Sequence, residues 1–318
     1  MLAYIVRRLF QLVIVLFGVS LITFIMVFVI PGSPALLQAG KDATPARIHA
    51  TEVRLGLDRP LYVQYGKFVW RTLHGDLGNS FRYGTPVTQL IKQNVGNTMQ
   101  LALAAVLIEL LGIPLGVYSA LRQFTFWDTA FTTTALLVWG IPVFVLGFFM
   151  QWLFGFKLNL LPVTGAGNNV LLFIPASLQT LEALILPAFT LGLLEVAYIS
   201  YMQRAAMLDV IRSDYIRTAR AKGLSERRVI LKHGLKNAVI PVMTIAGIDL
   251  GALLGGAILT ETVFARPGIG LMIYQAIGSR DLPVVAGGVL FATLVYVFAN
   301  LIVDIGYAYV DPRIRLEE

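Results

Sequence analysis

The chain has 318 residues, 57% of them apolar and only 14% charged, with a formal net charge of +7 and a mean hydropathy of +0.75. Soluble domains run at about 45–50% apolar and about 25% charged, so an ordinary soluble enzyme and a disordered tail are both excluded. With no cysteine there is no disulfide framework, thiolate nucleophile or Cys-ligated metal.

A bilayer core of about 30 Å takes about 20 apolar residues as helix, and six runs qualify. Every backbone group in lipid must be satisfied internally, so the expected fold is an all-α membrane protein of six transmembrane helices. The first run is Leu9–Ile30, broken only by Gln11, Ser20 and Thr23. Its 22-residue core exceeds the roughly 7–15 of a secretory leader, and Pro31-Gly32-Ser33-Pro34 offers no good cleavage site. It reads as an anchor. The long segment 31–98 follows. Pro60 opens and Gly75 closes a helix there, with Leu61, Tyr65, Phe68, Val69 and Leu73 at helical spacing. That describes an amphipathic helix lying on the membrane or on the chain's own spans, either a structural lid or a docking surface.

The second run is Met99–Leu121 with the single acid Glu109, and the third, Phe131–Gly155, carries no charge. The patch Val170–Pro175 is too short to cross. The fourth run is Ala183–Met202 with Glu195, the fifth Ala238–Leu259 with Asp249, and the sixth Pro283–Val310 with Asp304. An even number of spans puts both termini on one side. Nine Lys or Arg fall between Arg204 and Lys236, whereas the short loops on the other side hold only Lys157, Arg266 and Arg280. The positive-inside rule then places the N-terminus in the cytoplasm. The expected division is a first span plus folded outer loop at 1–98, a five-helix core at 99–310 and a cytoplasmic tail at 311–318.

The loop 206–237 between the fourth and fifth runs is the most informative. Ser213 is placed to cap a short helix with Asp214 in its first turn, and Gly223 to end it. Ser225 is placed to cap a second, with Glu226 near its positive end. That helix carries Val229, Ile230 and Leu231 among Arg227, Arg228, Lys232 and Lys236, and Pro241 enters the next span. Two short helices about a glycine hinge form a rigid knob. A polybasic face drawn to anionic lipid would carry the same cations, but small residues and a double cap are more than lipid attraction requires, which favours protein docking.

In the fifth run Gly247, Gly251 and Gly255 recur at four-residue spacing, followed by Gly256, a small-residue face that lets helices approach closely. It serves either packing within the chain or a sliding seam between pore halves. Intramembrane acids are functional candidates, so Glu109, Glu195, Asp249 and Asp304 are candidates for a translocation path. An Asp249/Asp304 dyad sharing a proton would suit an intramembrane aspartyl protease, though nothing in the sequence brings them together. His49, His74 and His233 fall on different sides of the membrane, which argues against a three-histidine metal site. Neither Gly40-Lys41-Asp42 nor Gly66-Lys67-Phe68 fits the phosphate-cradling Gly-x4-Gly-Lys-[Ser/Thr] pattern. An ATP-driven machine built on this chain therefore needs a separate motor.

In order and spacing, several stretches resemble one family. They are Arg7-Arg8-Leu9, Leu55-Gly56-Leu57-Asp58-Arg59-Pro60-Leu61 and His74-Gly75-Asp76-Leu77-Gly78-Asn79-Ser80. Asn97-Thr98, Leu186-Pro187 and Asp214-Tyr215 through Arg217-Thr218-Ala219-Arg220-Ala221-Lys222-Gly223-Leu224 follow. The series ends with His233, Asn237, Pro241, Glu261-Thr262-Val263-Phe264, Pro267-Gly268-Ile269-Gly270, Asn300, Asp304 and Asp311-Pro312-Arg313. Over nearly its whole length the chain resembles the integral-membrane permease subunits of bacterial ABC importers in the dipeptide, oligopeptide and nickel group, the dipeptide permeases above all.

The resemblance implies a type I importer permease in the bacterial inner membrane, without catalytic residues or a cofactor of its own. ATP and Mg would sit on two partner ATPase subunits. A second related permease would complete the path, and an extracytoplasmic binding protein would deliver solute. It also implies that 214–241 is the ATPase-coupling element, carried by Asp214, Tyr215, Arg217, Ala219, Ala221, Lys222, Gly223, Leu224, Glu226, His233, Asn237 and Pro241. Two positions depart from the family. Arg217, Thr218 and Ala219 stand where the broad loop pattern begins Glu-Ala-Ala, and Ser33 stands where an acid is common. The expected solute is a di- or oligopeptide, with a nickel or glutathione importer of the same architecture as the alternative.

Overall fold

The computed structural model describes residues 2–28, 35–36, 44–165, 169–171, 174–175 and 177–310. Within them the side chains at 2–6, 8, 28, 55, 169–171, 174–175, 244–245, 247–252, 254–256 and 303–310 are not described. The tail expected at 311–318 lies outside these residues. The chain divides into two compact units, residues 1–96 with 267–298, and residues 97–266 with 299–318.

The first unit starts with α1 (Leu2–Phe28). Next comes α2 (Pro45–Leu55), whose N-cap Thr44 accepts the Arg47 N–H and whose first position is Pro45. Gly56 ends α2 at φ +71°, its N–H donating to the carbonyls of Glu52 and Val53. After Pro60, α3 (Leu61–Leu73) is the expected amphipathic helix, closed at His74 one residue before Gly75. It lies on its own first span. Tyr65 Oη and Ser20 Oγ are 2.8 Å apart, and the Tyr65 ring meets Phe17 and Phe24 edge-on with centroids 6.1 and 5.3 Å away.

The chain then turns through 75–86 into α4 (Val87–Glu109). The buried carboxylate of Asp281 anchors this turn, accepting from Ser80 Oγ and from the N–H groups of Phe81 at 2.9 Å and Arg82 at 3.2 Å. Val87 and Ile91 form a core with Ile269, Ile273 and Ala276 of α12 (Ile269–Gly278) and Val284 of α13 (Leu282–Val310). The second apolar run was expected to start at Met99, but its helix begins twelve residues earlier, at Val87. Gln89, Lys92, Gln93 and Asn94 hide the extension from a hydropathy reading, while Val87 and Ile91 hold it in place.

In the second unit α4 gives way at Leu110–Leu111 to α5 (Gly112–Leu121). α6 (Phe126–Trp139) and α7 (Val143–Met150, extended by a π-helical turn Gln151–Lys157) follow. These two were expected as one span, Phe131–Gly155. They meet instead at 105° across Gly140-Ile141-Pro142, because proline disfavours helix at the residue before it and has no N–H to give the ladder. At the patch 170–175, β1 (Asn169–Leu171) pairs antiparallel with β2 (Ile174–Pro175). Among the described residues the fold is helical apart from this strand pair and an isolated bridge between Asn79 and Pro86.

α8 (Leu178–Ile211) is the central helix, with 61% of its apolar window buried against 17% for α1. α5 packs on it through glycine, since a Cβ on Gly116 would sit 2.5 Å from the Ser200 carbonyl oxygen. Leu101, Ala105, Leu184, Ala188, Leu191, Leu253 and Ala257 form the main core. α9 (Asp214–Ala221), α10 (Glu226–Arg228), a π-helical segment Val229–Leu235 and α11 (Lys236–Val263) complete the unit's helices up to Arg266.

Among the described residues four helices are long and apolar enough to cross a membrane, Leu9–Val27, Val87–Leu121, Leu178–Ile211 and Leu282–Ile302. The bent pair α6–α7 makes a fifth if it counts as one span. The expected run 238–259 falls within α11, where many side chains are not described.

Candidate functional site

The hairpin between α8 and α11 is built by a small apolar cluster. Ile216 and Ala219 on α9 and Val229 beyond α10 are buried together, with Val210 and Leu224 packed against them. Gly223 turns the chain between the arms at φ +73°, with nothing within 4 Å of where a Cβ would lie. The conformation, not the space, requires glycine there. Arg220 closes the arms onto each other, donating from Nη2 to Glu226 Oε1 at 2.6 Å and from Nε to Oε2 at 3.1 Å. Those hydrogen bonds hold the Glu226 carboxyl below its ordinary range and raise the Arg220 guanidinium. At the foot of the hairpin Asn237 Nδ2 donates to Tyr215 Oη at 2.9 Å and to the His233 carbonyl at 3.3 Å.

Two sequence expectations fail here. Ser213 and Ser225 do occupy N-cap positions with extended backbone, but neither makes a side-chain capping bond. The Ser213 hydroxyl donates back to the Val210 carbonyl at 2.6 Å instead. The second arm is also not a separate short helix. It runs through α10 and the π-helical segment directly into α11, with Pro241 inside that helix.

The exposed face of the hairpin carries Asp214, Tyr215, Arg217, Ala221, Lys222, Arg227, Arg228, Leu231 and Lys232, while Ala219 is buried and Leu224 and His233 are half-buried. Apart from Asp214 with Arg217 at 3.5 Å, these charges face outward over an apolar base. Such a surface suits a groove of complementary charge on a partner protein.

The other candidates are scattered. Glu109 is buried at the end of α4 and Glu195 half-buried in α8, each in a polar interaction. Asp249, Asp304 and the glycines Gly247, Gly251, Gly255 and Gly256 lie in α11 and α13 at positions whose side chains are outside the described residues. Among the described residues no group of three His, Cys, Asp or Glu is placed to hold a metal ion.

Sequence reasoning missed the buried polar pairs of the second unit. Arg204 on α8 grips Asp128 on α6 with two bonds, Nε to Oδ1 at 2.5 Å and Nη2 to Oδ2 at 2.8 Å. Ser119 Oγ and the Phe124 N–H donate to the same carboxylate at 2.7 and 3.0 Å. Near the far end of α11, Thr98 Oγ1 donates to Glu261 at 2.6 Å, and Arg266 Nη2 donates to Gln100 Oε1 at 2.9 Å. A capping pattern, Thr125 before Asp128, was the only local signal, and Thr125 does accept the Asp128 N–H. The partners are 76 to 166 residues away, beyond the reach of local spacing.

Comparison with known proteins adds the identity of the family. Residues 112–316 match the model for the binding-protein-dependent transport system inner membrane component, and residues 1–102 match that for the N-terminal part of such membrane components. The chain is 41% identical to the dipeptide transport system permease protein DppB of Alkalihalophilus pseudofirmus, over 99% of this chain and 100% of that one. It is 40% identical to a putative peptide transport system permease protein of Brucella abortus over the full length of both. The dipeptide transport system permease protein DppB of Escherichia coli K12 is 37% identical over 99% of each chain.

Proposed function

Because the chain belongs to the family of binding-protein-dependent transport system inner membrane components, we propose that it is the permease subunit of an ATP-driven importer of di- and oligopeptides. The observation that carries this reading is the full-length likeness to permeases named for dipeptide and peptide transport. The chain is a non-catalytic membrane subunit, and ATP and Mg belong to its partners. It forms half of the translocation path beside a second, related permease. Two ATPase subunits dock below, and an extracytoplasmic binding protein delivers peptide above.

Six helices cross the membrane with both termini in the cytoplasm, α6–α7 counting as one broken span and α11 as the fifth. Residues 1–98 supply the first span and outer loop, and 99–310 the permease core. The hairpin 214–241 is the coupling element, a role supported by its outward cations, apolar base and glycine turn. Closure of the ATPase pair pushes this hairpin, and the permease pair rocks between inward- and outward-facing states. Glu109, Glu195, Asp249 and Asp304 face the path, and Gly247, Gly251, Gly255 and Gly256 form the packing seam.

The test is uptake of labelled di- and oligopeptides by cells with and without the gene, in a background lacking other peptide importers. Uptake is lost without the gene and returns with it. Unchanged uptake on deletion overturns the peptide assignment, and nickel or glutathione uptake is then measured in the same cells.

A further inference from the structure

The first unit contains a cavity of about 540 Å³ at the end of its two membrane spans. Its walls differ in chemistry. One wall is apolar and belongs to the spans, with Val27 in the last turn of α1 and Ala286 and Leu290 in the first turns of α13, all three buried. Leu290 stands eight residues into α13, about 12 Å along it at 1.5 Å per residue. A second part of the lining is cationic, formed by Arg54, Arg59, Lys67 and Arg71 from α2, α3 and the turn between them. Among the described residues Asp76 is the only carboxylate lining the cavity, and Arg71 Nε already holds it at 2.8 Å. Arg54, Arg59 and Lys67 have no carboxylate partner among the described residues.

The cationic wall is preorganised. Gln64 Nε2 donates to the carbonyls of Leu57 and Arg59 at 3.1 and 2.7 Å, tying the turn that carries Arg59 to α3. The Lys67 ammonium lies over Gly56, where a Cβ would be 3.7 Å from Nζ. The cations and the apolar wall thus meet at the ends of the apolar helices Leu9–Val27 and Leu282–Ile302.

We infer that this cavity binds an anionic phospholipid, its phosphate on Arg54, Arg59 and Lys67 and an acyl chain along the wall of Val27, Ala286 and Leu290. Guanidinium and ammonium groups match phosphate oxygens, and basic pockets among transmembrane helices are suited to lipid headgroups. A free phosphate would use the cations and leave the apolar wall without an occupant. A zwitterionic lipid would set its own ammonium against three cations that have no carboxylate partner among the described residues.

The test uses the full-length protein purified with its co-expressed partners in mild detergent, with bound lipid counted by native mass spectrometry. The probes are phosphatidylglycerol, phosphatidylcholine and inorganic phosphate. Phosphatidylglycerol is retained in preference to phosphatidylcholine, and the Arg59→Gln/Lys67→Gln variant weakens the tightest such site about thirty-fold. Equal retention of the two lipids, or an unchanged site in the double variant, overturns the inference. Displacement of phosphatidylglycerol by millimolar inorganic phosphate overturns the lipid in favour of a free anion. Should the double variant fail to assemble, Arg54→Gln on exposed α2 reads the same site with a smaller loss, and the comparison of the two lipids needs no variant. Because the readout is bound lipid, its failure leaves the peptide-uptake reading standing, and failure of peptide uptake leaves this site untouched.

Discussion

Two ion pairs in the second unit share a two-pronged arginine–carboxylate geometry and differ in almost everything else. Arg204 and Asp128 expose only 21% and 5% of their side chains, and Ser119 and the Phe124 backbone complete the carboxylate's bonds. Arg220 and Glu226 expose 40% and 56% and have no such support. A buried pair that loses one partner leaves an uncompensated charge, whereas an exposed pair returns both groups to water. The deep pair therefore braces α6 against α8. The shallow one only trims the hairpin, whose shape rests on the apolar cluster of Ile216, Ala219 and Val229.

That contrast sets the order of expected effects. Asp128→Ala, which strands Arg204, lowers stability by about 3–5 kcal/mol, read as a large drop in the thermal unfolding temperature of the purified complex. Replacing both partners with apolar residues costs less than the two single changes together, because neither charge is then left alone. Ile216→Ala removes the largest side chain of the hairpin cluster and costs about 2–4 kcal/mol. The loss is local, so faster hydrogen exchange across 214–229 is its signature, with the rest of the chain protected as before.

Gly223→Ala needs only the left-handed conformation, since its Cβ meets nothing, and costs about 1 kcal/mol. Gly223→Pro cannot adopt that φ at all, so it assembles into the membrane but fails to link ATP hydrolysis to uptake. Normal uptake by that variant would remove the hairpin from the coupling role.

Arg220→Ala has the smallest effect, within about 1 kcal/mol, and a distinctive pH dependence. Glu226's carboxyl is depressed in the folded protein, so its contribution is present above the unfolded value near about 4.3 and lost as pH falls through the lower folded value. The difference between wild type and Arg220→Ala is therefore flat from about pH 8 to 5 and closes only below about 4. A difference that changes near neutrality would point to a group other than Glu226.

What the sequence made legible followed local physics. Pro60, Gly75 and the apolar stripe between them marked α3, and the hydropathy runs marked α1, α8 and α13. The cations of 206–237 and the turn at Gly223 marked the hairpin. Other features needed information that hydropathy discards. Pro142 breaks the third run, yet a window that averages apolarity counts the residues around it as one span. Polar Lys92 and Asn94 concealed the first three turns of α4 because Val87 and Ile91 find their partners on helices almost two hundred residues later. Asp128 with Arg204, Thr98 with Glu261 and Gln100 with Arg266 are tertiary pairs of polar residues, and no spacing rule joins them. Ser213 and Ser225 show the converse, since a residue type suited to capping takes the cap position and makes no capping bond.

The second arm of the hairpin continues into α11 without a break, and this has a mechanical consequence. Residues 226–263 form one continuous helical rod, about 55 Å long, between the Gly223 turn and Phe264. A tilt of about 5° at the hairpin therefore displaces the far tip by about 5 Å, where Glu261 is fastened to Thr98. A rod of that length would turn a small tilt of the hairpin into a larger displacement at its far end, and Pro241, which gives no N–H to the ladder, is the weak point along it.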